Sequence, residues 1–303
     1  MAIFELQPMY LSRAGQVTCK NYSQLGYDRL IRGVYGHSPH TQGLDEWEQR
    51  RTEFLSRTHA VMAAYPHKSA VLFGPTAFQA MNVALPARLQ DWDTCHILVP
   101  AGVTRPVRRG VAAHRSVHDL QVWGQAWGLP ILNPVEHWLQ LSGATVDEMV
   151  EVGDGFLRRR RPLLTLDDMV SALSSCAGRH GVTRAYEAMK WVRPDTDSLY
   201  ETVTRLSLIR AGLPEPVVNC EVHCSNGMTF HVDMGYEPEK VGVEYDGAVH
   251  VGDRRQMDID ADRRRILQDE GWIIISVTAA GLRTPERIVR SVESALVLRR
   301  AGI

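Results

Sequence analysis

Apolar and polar residues alternate along residues 230–236, and again along residues 241–245, where Val241, Val243 and Tyr245 share one side. A period of two predicts strands. Glu237, Pro238 and Glu239 between the two runs signal a tight turn, so the runs predict an antiparallel hairpin. Residues 217–223 predict the strand before it, joined through Asn226-Gly227, a pair suited to positive φ. Residues 272–277 are almost continuously apolar, which predicts a strand at the buried centre of a mixed sheet. Helical spacing marks residues 199–211, 254–270 and 284–300. Ser198 is placed to cap the first of these, and Gly212 and Gly271 to end the first and second. A helix, three or four strands, a helix, a strand and a helix predict an α/β sandwich.

Upstream, residues 44–65 predict a helix with Trp47, Phe54, Leu55, Val61 and Met62 at helical intervals. Residues 69–81 predict a short strand, a Gly-Pro break and a helix from Thr76. Residues 96–100 and 111–115 predict strands around the basic turn 105–110, with Arg108 and Arg109 at a hairpin tip, able to contact phosphate. Pro134 suits a first helical turn, with Trp138 and Leu141 as core and His137 as a helix residue rather than a ligand. Helices follow at 146–157, 166–177 and 182–190, the second capped by Thr165. The best boundary is at residues 193–197, giving regions 1–65, 66–194 and 195–303.

The chain has 303 residues, 44% hydrophobic and 23% charged, ordinary for a globular protein. Its net charge of −1 does not announce a nucleic-acid binder, but basic residues cluster at 105–109, 158–161 and 263–265. Any one cluster reads most simply as a solvated face. Five scattered cysteines argue against a disulfide framework and for a reducing compartment. Cys220, His223 and Cys224 lack a second ligand pair and read as strand residues. Without a secretory pattern or an apolar run of membrane length, the expectation is a cytoplasmic protein with no membrane partner.

The acids of the hairpin change the picture. Glu244 and Asp246 share the face opposite the valines, and folding about Pro238 sets Asp233 opposite Glu244. Like charges opposed across a sheet repel, so three carboxylates imply a compensating cation, and Mg²⁺ takes such oxygen ligands. A polar sheet face open to solvent is the plainer alternative. Glu201 and Arg205, one turn apart, share a helix face. They form either an ion pair or, with Glu201 turned to the sheet, a fourth acid of the site.

The run Val232-Asp-Met-Gly-Tyr, then Val243-Glu-Tyr-Asp-Gly-Ala-Val-His, then Asp262-Arg and Gly271-Trp272, resembles the very-short-patch-repair-like branch of the PD-(D/E)XK nuclease superfamily. More closely, it resembles an actinobacterial family that carries such a module at its C-terminus. Residues 27–35, with Arg32-Gly-Val-Tyr, resemble the wing of the AbiEi-type antitoxin winged-helix domain. The resemblance implies an α/β fold: a C-terminal restriction-endonuclease-like mixed sheet flanked by helices, preceded by an α+β winged-helix/AbiEi-like region. Residues 1–65 would be a degenerate winged-helix-like region, 66–194 an AbiEi-like middle region with a helical linker, and 195–303 the endonuclease-like domain.

The resemblance further implies that Asp233 and Glu244 hold Mg²⁺ or Mn²⁺, with Glu201, Asp246 and His250 completing a catalytic set. Asp246 stands where the superfamily has lysine, which leaves the water-activating role to His250, Asp246 or solvent. Arg254, Arg255 and Arg263 would grip the DNA backbone. The implied function is metal-dependent DNA endonuclease. The other readings are a DNA-binding regulator or antitoxin of the AbiEi type with a silent nuclease-like domain and a cognate toxin as partner, or an inert structural module.

Overall fold

The computed structural model describes residues 28–31, 34–37, 41–64, 69–247 and 254–302, with Ser23 and Pro39 as isolated positions. It is a mixed α/β chain in two compact units. Unit 1 holds the described residues up to Ala144 together with Ala172–Val182, and unit 2 holds Thr145–Ser171 and Thr183–Ile303.

In unit 1, β1 (Asp28–Ile31) and β2 (Val34–Gly36) form an antiparallel pair with an irregularity between Arg29 and Ile31. Helix α1 (Glu46–Ala64) starts where Asp45 Oδ1 accepts from Glu48 N at 2.7 Å. Phe54, Leu55 and Val61 are buried on it, whereas Trp47 stays exposed beneath the Arg51 guanidinium. Strand β3 (Val71–Leu72) leads into α2 (Gly74–Ala80), and β4 (Cys95–Val99) and β5 (Val111–Arg115) follow. These strands form a three-stranded sheet in the order β3-β4-β5.

One expectation fails here. β4 and β5 are parallel, with Cys95 beside Val111 and Val99 beside Arg115. The segment 100–110 is therefore a crossover that returns to the starting end of the sheet, as a parallel pair requires. Arg108 and Arg109 do not sit on a tip joining β4 to β5; they lie in a tight turn before β5, where Arg108 bridges Val111 antiparallel. Arg108 is half-buried with a buried Nη1, and Arg109 is exposed. The unit is completed by the hairpin of β6 (Gly124–Ala126) and β7 (Leu129–Ile131), turning through Trp127 and Gly128 at positive φ, and by α3 (Pro134–Leu139). His137 on α3 is wholly buried, its Nε2 accepting from Leu132 N at 3.2 Å. Burial pushes it down to about 3, so it is a neutral packing residue.

Unit 2 begins with α4 (Val146–Phe156), closed by a reciprocal cap between Thr145 and Glu148. The chain crosses to unit 1 within α5 (Leu166–Ser175), capped by Thr165 as expected, and returns at the start of α6 (Val182–Met189). Helix α7 (Leu199–Arg210), β8 (Val217–His223), β9 (Thr229–Tyr236), β10 (Val241–Tyr245), α8 (Arg254–Asp269), β11 (Ile273–Val277) and α9 (Pro285–Arg300) follow the expected order. The sheet order is β11-β10-β9-β8, antiparallel except for the β10–β11 pair, which α8 connects. β11 is thus an edge strand, not a central one. Its apolar run reflects helices over its two faces, not strands on both sides. The turn at Asn226-Gly227 is wider than two residues, and of the pair only Gly227 has positive φ.

Two cores clasp this sheet. One joins Met234, Tyr236, Val241 and Val243 to Leu208 of α7 and to Ile288, Val292 and Leu296 of α9. The other joins Cys220, Val222, Val232 and Trp272 to Leu267 of α8. Val232 and Met234 are two residues apart on one strand and should share a face, yet they lie in different cores. The alternation is broken at Asp233, beside Asn219 of β8, which has φ +48°. The regular alternation expected for residues 230–236 therefore changes face at the acid itself.

Helix α7 is fixed by charge. Arg205 and Asp154 are exposed by only 1% and 0%, and Arg205 Nη2 donates to Asp154 Oδ2 at 2.8 Å. Thr202 Oγ1 and Arg193 N donate to the same carboxylate, and Arg205 Nη1 reaches Glu215 at 3.0 Å. The ion pair of Glu201 with Arg205 is therefore absent, because Arg205 turns to α4. Removing one partner of a buried pair leaves an unanswered charge, costing about 3–5 kcal/mol. Asp154→Ala should lose stability on that scale in urea denaturation. Lys190→Ala, which breaks an exposed pair with Glu187, should cost at most about 0.5 kcal/mol.

Candidate functional site

Helix α7 carries Glu201 in its first turn. Ser198 caps the helix by accepting from Glu201 N at 3.2 Å, and the Glu201 carboxylate folds back to accept from Asp197 N at 2.9 Å. The side chain is buried, and desolvation pushes it up to about 7. The Asp197 amide pulls against that shift, and the charge of Asp233 adds to it. Glu201 thus lies within electrostatic reach of the acid on β9, while its carboxylate bonds the Asp197 amide.

Asp233 lies at the break in β9. Its Oδ2 accepts from Tyr245 N at 2.7 Å, just beyond the last backbone pair of β9 with β10, Met234 with Val243. Burial pushes its carboxyl up to about 6, opposed by the Tyr245 amide, reinforced by Glu244 and opposed by Arg263. The β9–β10 register, with Val243 beside Met234, brings Glu244 next to Asp233. The charge of Glu244 therefore acts on Asp233, and that of Asp233 on Glu201.

The compensating cations present are guanidinium groups. Arg263 of α8 forks onto Glu244, Nη1 to Oε2 at 3.1 Å and Nη2 to Oε1 at 2.5 Å, and also donates to His231 O at 2.6 Å. Arg263, expected to grip DNA, instead holds an acid of the site. Arg159 binds Asp197, Nε to Oδ2 at 3.0 Å, and the charges of Asp197, Glu201 and Asp233 help to raise its pKa. Arg159 and Asp197 were not singled out individually. In the sequence Arg159 lies within the basic run 158–161 and Asp197 at the end of the boundary segment 193–197, with no local signal that pairs them. Tyr200 and Tyr245, neighbours of Glu201 and Glu244, stack at 4.8 Å and 19°, a contact between helix and strand that no local pattern encodes.

The other expected residues stand apart or beyond view. Asp246 meets Arg264 at 3.7 Å. His250 lies outside the described residues. Arg254 and Arg255 are on the first turn of α8, with side chains outside the described set. Arg108 and Arg109 belong to unit 1.

Among the described residues no group of three or more His, Cys, Asp or Glu side chains is placed to hold a metal ion. A hard divalent ion needs only one or two carboxylates when it keeps its waters. Asp233 and Glu244 supply such an all-oxygen pair, provided Glu244 leaves Arg263. The carboxyls of Glu201 and Asp233 are raised chiefly by burial, with a neighbouring carboxylate adding to each.

Both carboxyls have higher pKa values in the folded chain than in the unfolded one. The folded state therefore binds more protons between the two values. On their account stability falls as pH rises from 4.5 to about 7 for Glu201, and from 3.8 to about 6 for Asp233. Glu201→Gln should flatten that decline in thermal denaturation and be the more stable protein above it. A variant less stable than wild type at alkaline pH would show that the carboxylate is needed to close its helix.

No family model matches the chain, and no solved structure matches it. It is 28% identical over 138 residues to two proteins of Mycobacterium tuberculosis, "Uncharacterized protein MT2308" of strain CDC 1551 / Oshkosh and "Uncharacterized protein Rv2248" of strain ATCC 25618 / H37Rv. The match covers 42% of this chain and 51% of each relative, so the chain spans about half the length of the curated relatives it matches.

Proposed function

We propose that unit 2 is a divalent-metal-dependent endonuclease of restriction-endonuclease-like architecture, hydrolysing phosphodiester bonds in DNA. The observation that carries this reading is the burial of two carboxyls, Glu201 on the first turn of α7 and Asp233 on β9, with the charge of Asp233 acting on Glu201 and that of Glu244 on Asp233. Carboxylates held together against their own repulsion suit a cationic ligand better than a structural role.

Asp233 and Glu244 would hold Mg²⁺ or Mn²⁺. The bound ion supplies charge neutralisation at a phosphoryl oxygen and acidifies water at neutral pH. Glu201, pushed up to about 7, holds a proton near neutrality and can give or take it beside the reacting phosphate. Arg263, freed from Glu244, can transfer its fork to a phosphate, a geometry that guanidinium and phosphate share. Arg159 and the run behind it supply positive charge for the strand that enters. The winged-helix-like character of unit 1 rests on the β1–β2 hairpin and is part of the same proposal, with DNA as the partner of both units.

One observation favours a second reading. The fork of Arg263 occupies both oxygens of Glu244, as it would in a silent module serving a DNA-binding regulator or antitoxin with a toxin partner. Catalysis separates the two. Purified protein with Mg²⁺ or Mn²⁺ should nick or cut DNA, and chelation should stop it. Glu244→Gln should lower the rate by about a hundredfold or more while DNA affinity holds or rises. Cutting by Glu244→Gln at the wild-type rate would remove this site from the chemistry. Tight DNA binding by a wild type that never cuts would establish the regulator.

A further inference from the structure

Unit 1 contains a cavity of about 800 Å³, remote in sequence from the acids of unit 2. Phe73, Leu98, Leu120 and Leu132 form apolar wall, and Arg105 and Arg115 stand on it with exposed side chains. His114 is also on the wall, its ring 4.5 Å from that of Phe73. Behind it runs a chain of hydrogen bonds on the parallel pair β4–β5. His114 Nε2 lies 3.1 Å from His96 Nδ1, and His96 Nε2 lies 3.0 Å from Asp91 Oδ2.

The chemistry fixes the protons in that chain. The Asp91 carboxyl is held below its ordinary value, with hydrogen bonds from His96 and the Thr94 and Asp93 amides outweighing its partial burial. As a carboxylate it only accepts, so His96 Nε2 carries a hydrogen. With the hydrogen of that tautomer on Nε2, His96 accepts at Nδ1, and His114 Nε2 donates to it. His114 is left with a lone pair at Nδ1. Burial, His96 and Arg105 all lower its pKa, so the ring is neutral when the cavity is empty. An anion entering there reverses the balance. A proton on Nδ1 would face the anion, and the positive charge would be relayed through His96 to Asp91.

We propose that this cavity binds a phosphate monoester with a flat organic body, a mononucleotide in chemical class, with one proton shared between the phosphate and His114. Arg105 and Arg115 take the phosphate, and Phe73 with Leu120 and Leu132 take the flat body. The other charged groups on the wall do not cancel this field. Glu136 is answered by Arg179 at 2.6 Å, Asp119 is a single exposed carboxylate, and His118 and His180 are also on the wall. A phosphate monoester has its second pKa near 6, so the shared proton is taken up from solvent as the dianion binds.

Calorimetry of the full chain with adenosine 5′-monophosphate, in two buffers of different ionisation enthalpy, tests this. Binding should take up a proton above neutrality, and affinity should rise as pH falls. Arg105→Ala and Arg115→Ala should each weaken binding about tenfold; both side chains are exposed, so the fold is not at risk. His114→Gln should abolish the proton uptake, and Asp91→Asn should reduce it. Inorganic phosphate should bind at least about tenfold more weakly than the nucleotide. A 5′-phosphorylated oligonucleotide that binds more tightly assigns the site to a strand end, and a weaker one to the free nucleotide; the phosphate monoester chemistry is the same. No nucleotide binding at millimolar concentration, equal binding of inorganic phosphate, or affinity indifferent to both arginines would overturn the proposal.

Discussion

The buried pair of Arg205 and Asp154 is the constraint on which unit 2 depends. Two charges removed from water cost several kcal/mol each unless every lone pair and proton is answered. Here Asp154 receives Arg205, Thr202 and the Arg193 amide, and Arg205 also reaches Glu215 and Trp191 O, which leaves only its buried Nε without a hydrogen-bond partner. So many geometrically exacting bonds hold α7 to α4 in one rotation and one register. The consequence is local and directional. With Arg205 turned to α4, Glu201 one helical turn earlier lies within electrostatic reach of Asp233, and Asp197 just before the helix is left to Arg159. An apolar contact of equal area would stabilise α7 without fixing its rotation so narrowly.

The acid site follows from that rotation together with the change of face in β9. Just beyond the last backbone pair with β10, the Asp233 carboxylate itself accepts the Tyr245 amide, so Asp233 is held by strand geometry while still repelling Glu244 and Glu201. Guanidinium groups balance part of this charge, Arg263 from one helix and Arg159 from a loop. Guanidinium is weakly hydrated and forked, which makes it suited both to pairing a half-buried carboxylate and to leaving it for a phosphate. The same residue can therefore stabilise the acid cluster and serve a substrate.

Unit 1 shows the same economy on a different sheet. The parallel pairing of β4 and β5 sets His96 and His114 side by side, which the antiparallel hairpin expected from the sequence would not have done. The crossover 100–110 that parallel pairing demands also carries Arg105 to the cavity wall. One topological fact thus produces both the relay and its cationic rim.

By itself the sequence determined which segments are strands and helices in unit 2, because period-two and helical spacing are local, and so are caps such as Ser198 and Thr165. It also determined the antiparallel pairing of β9 with β10, whose register brings Glu244 near Asp233. Tertiary structure decided the rest. Glu201 with Arg205 was a reasonable pair at helical spacing, but Asp154, many residues away, competed for the arginine and won through burial and extra donors. β11 read as central because covering helices and flanking strands leave the same apolar signature. β4 and β5 read as a hairpin because nothing local distinguishes a parallel crossover without a helix from a long turn. Arg159, Asp197 and the Tyr200–Tyr245 stack were invisible for the same reason: each depends on a partner from another element, and only the folded chain brings the two together.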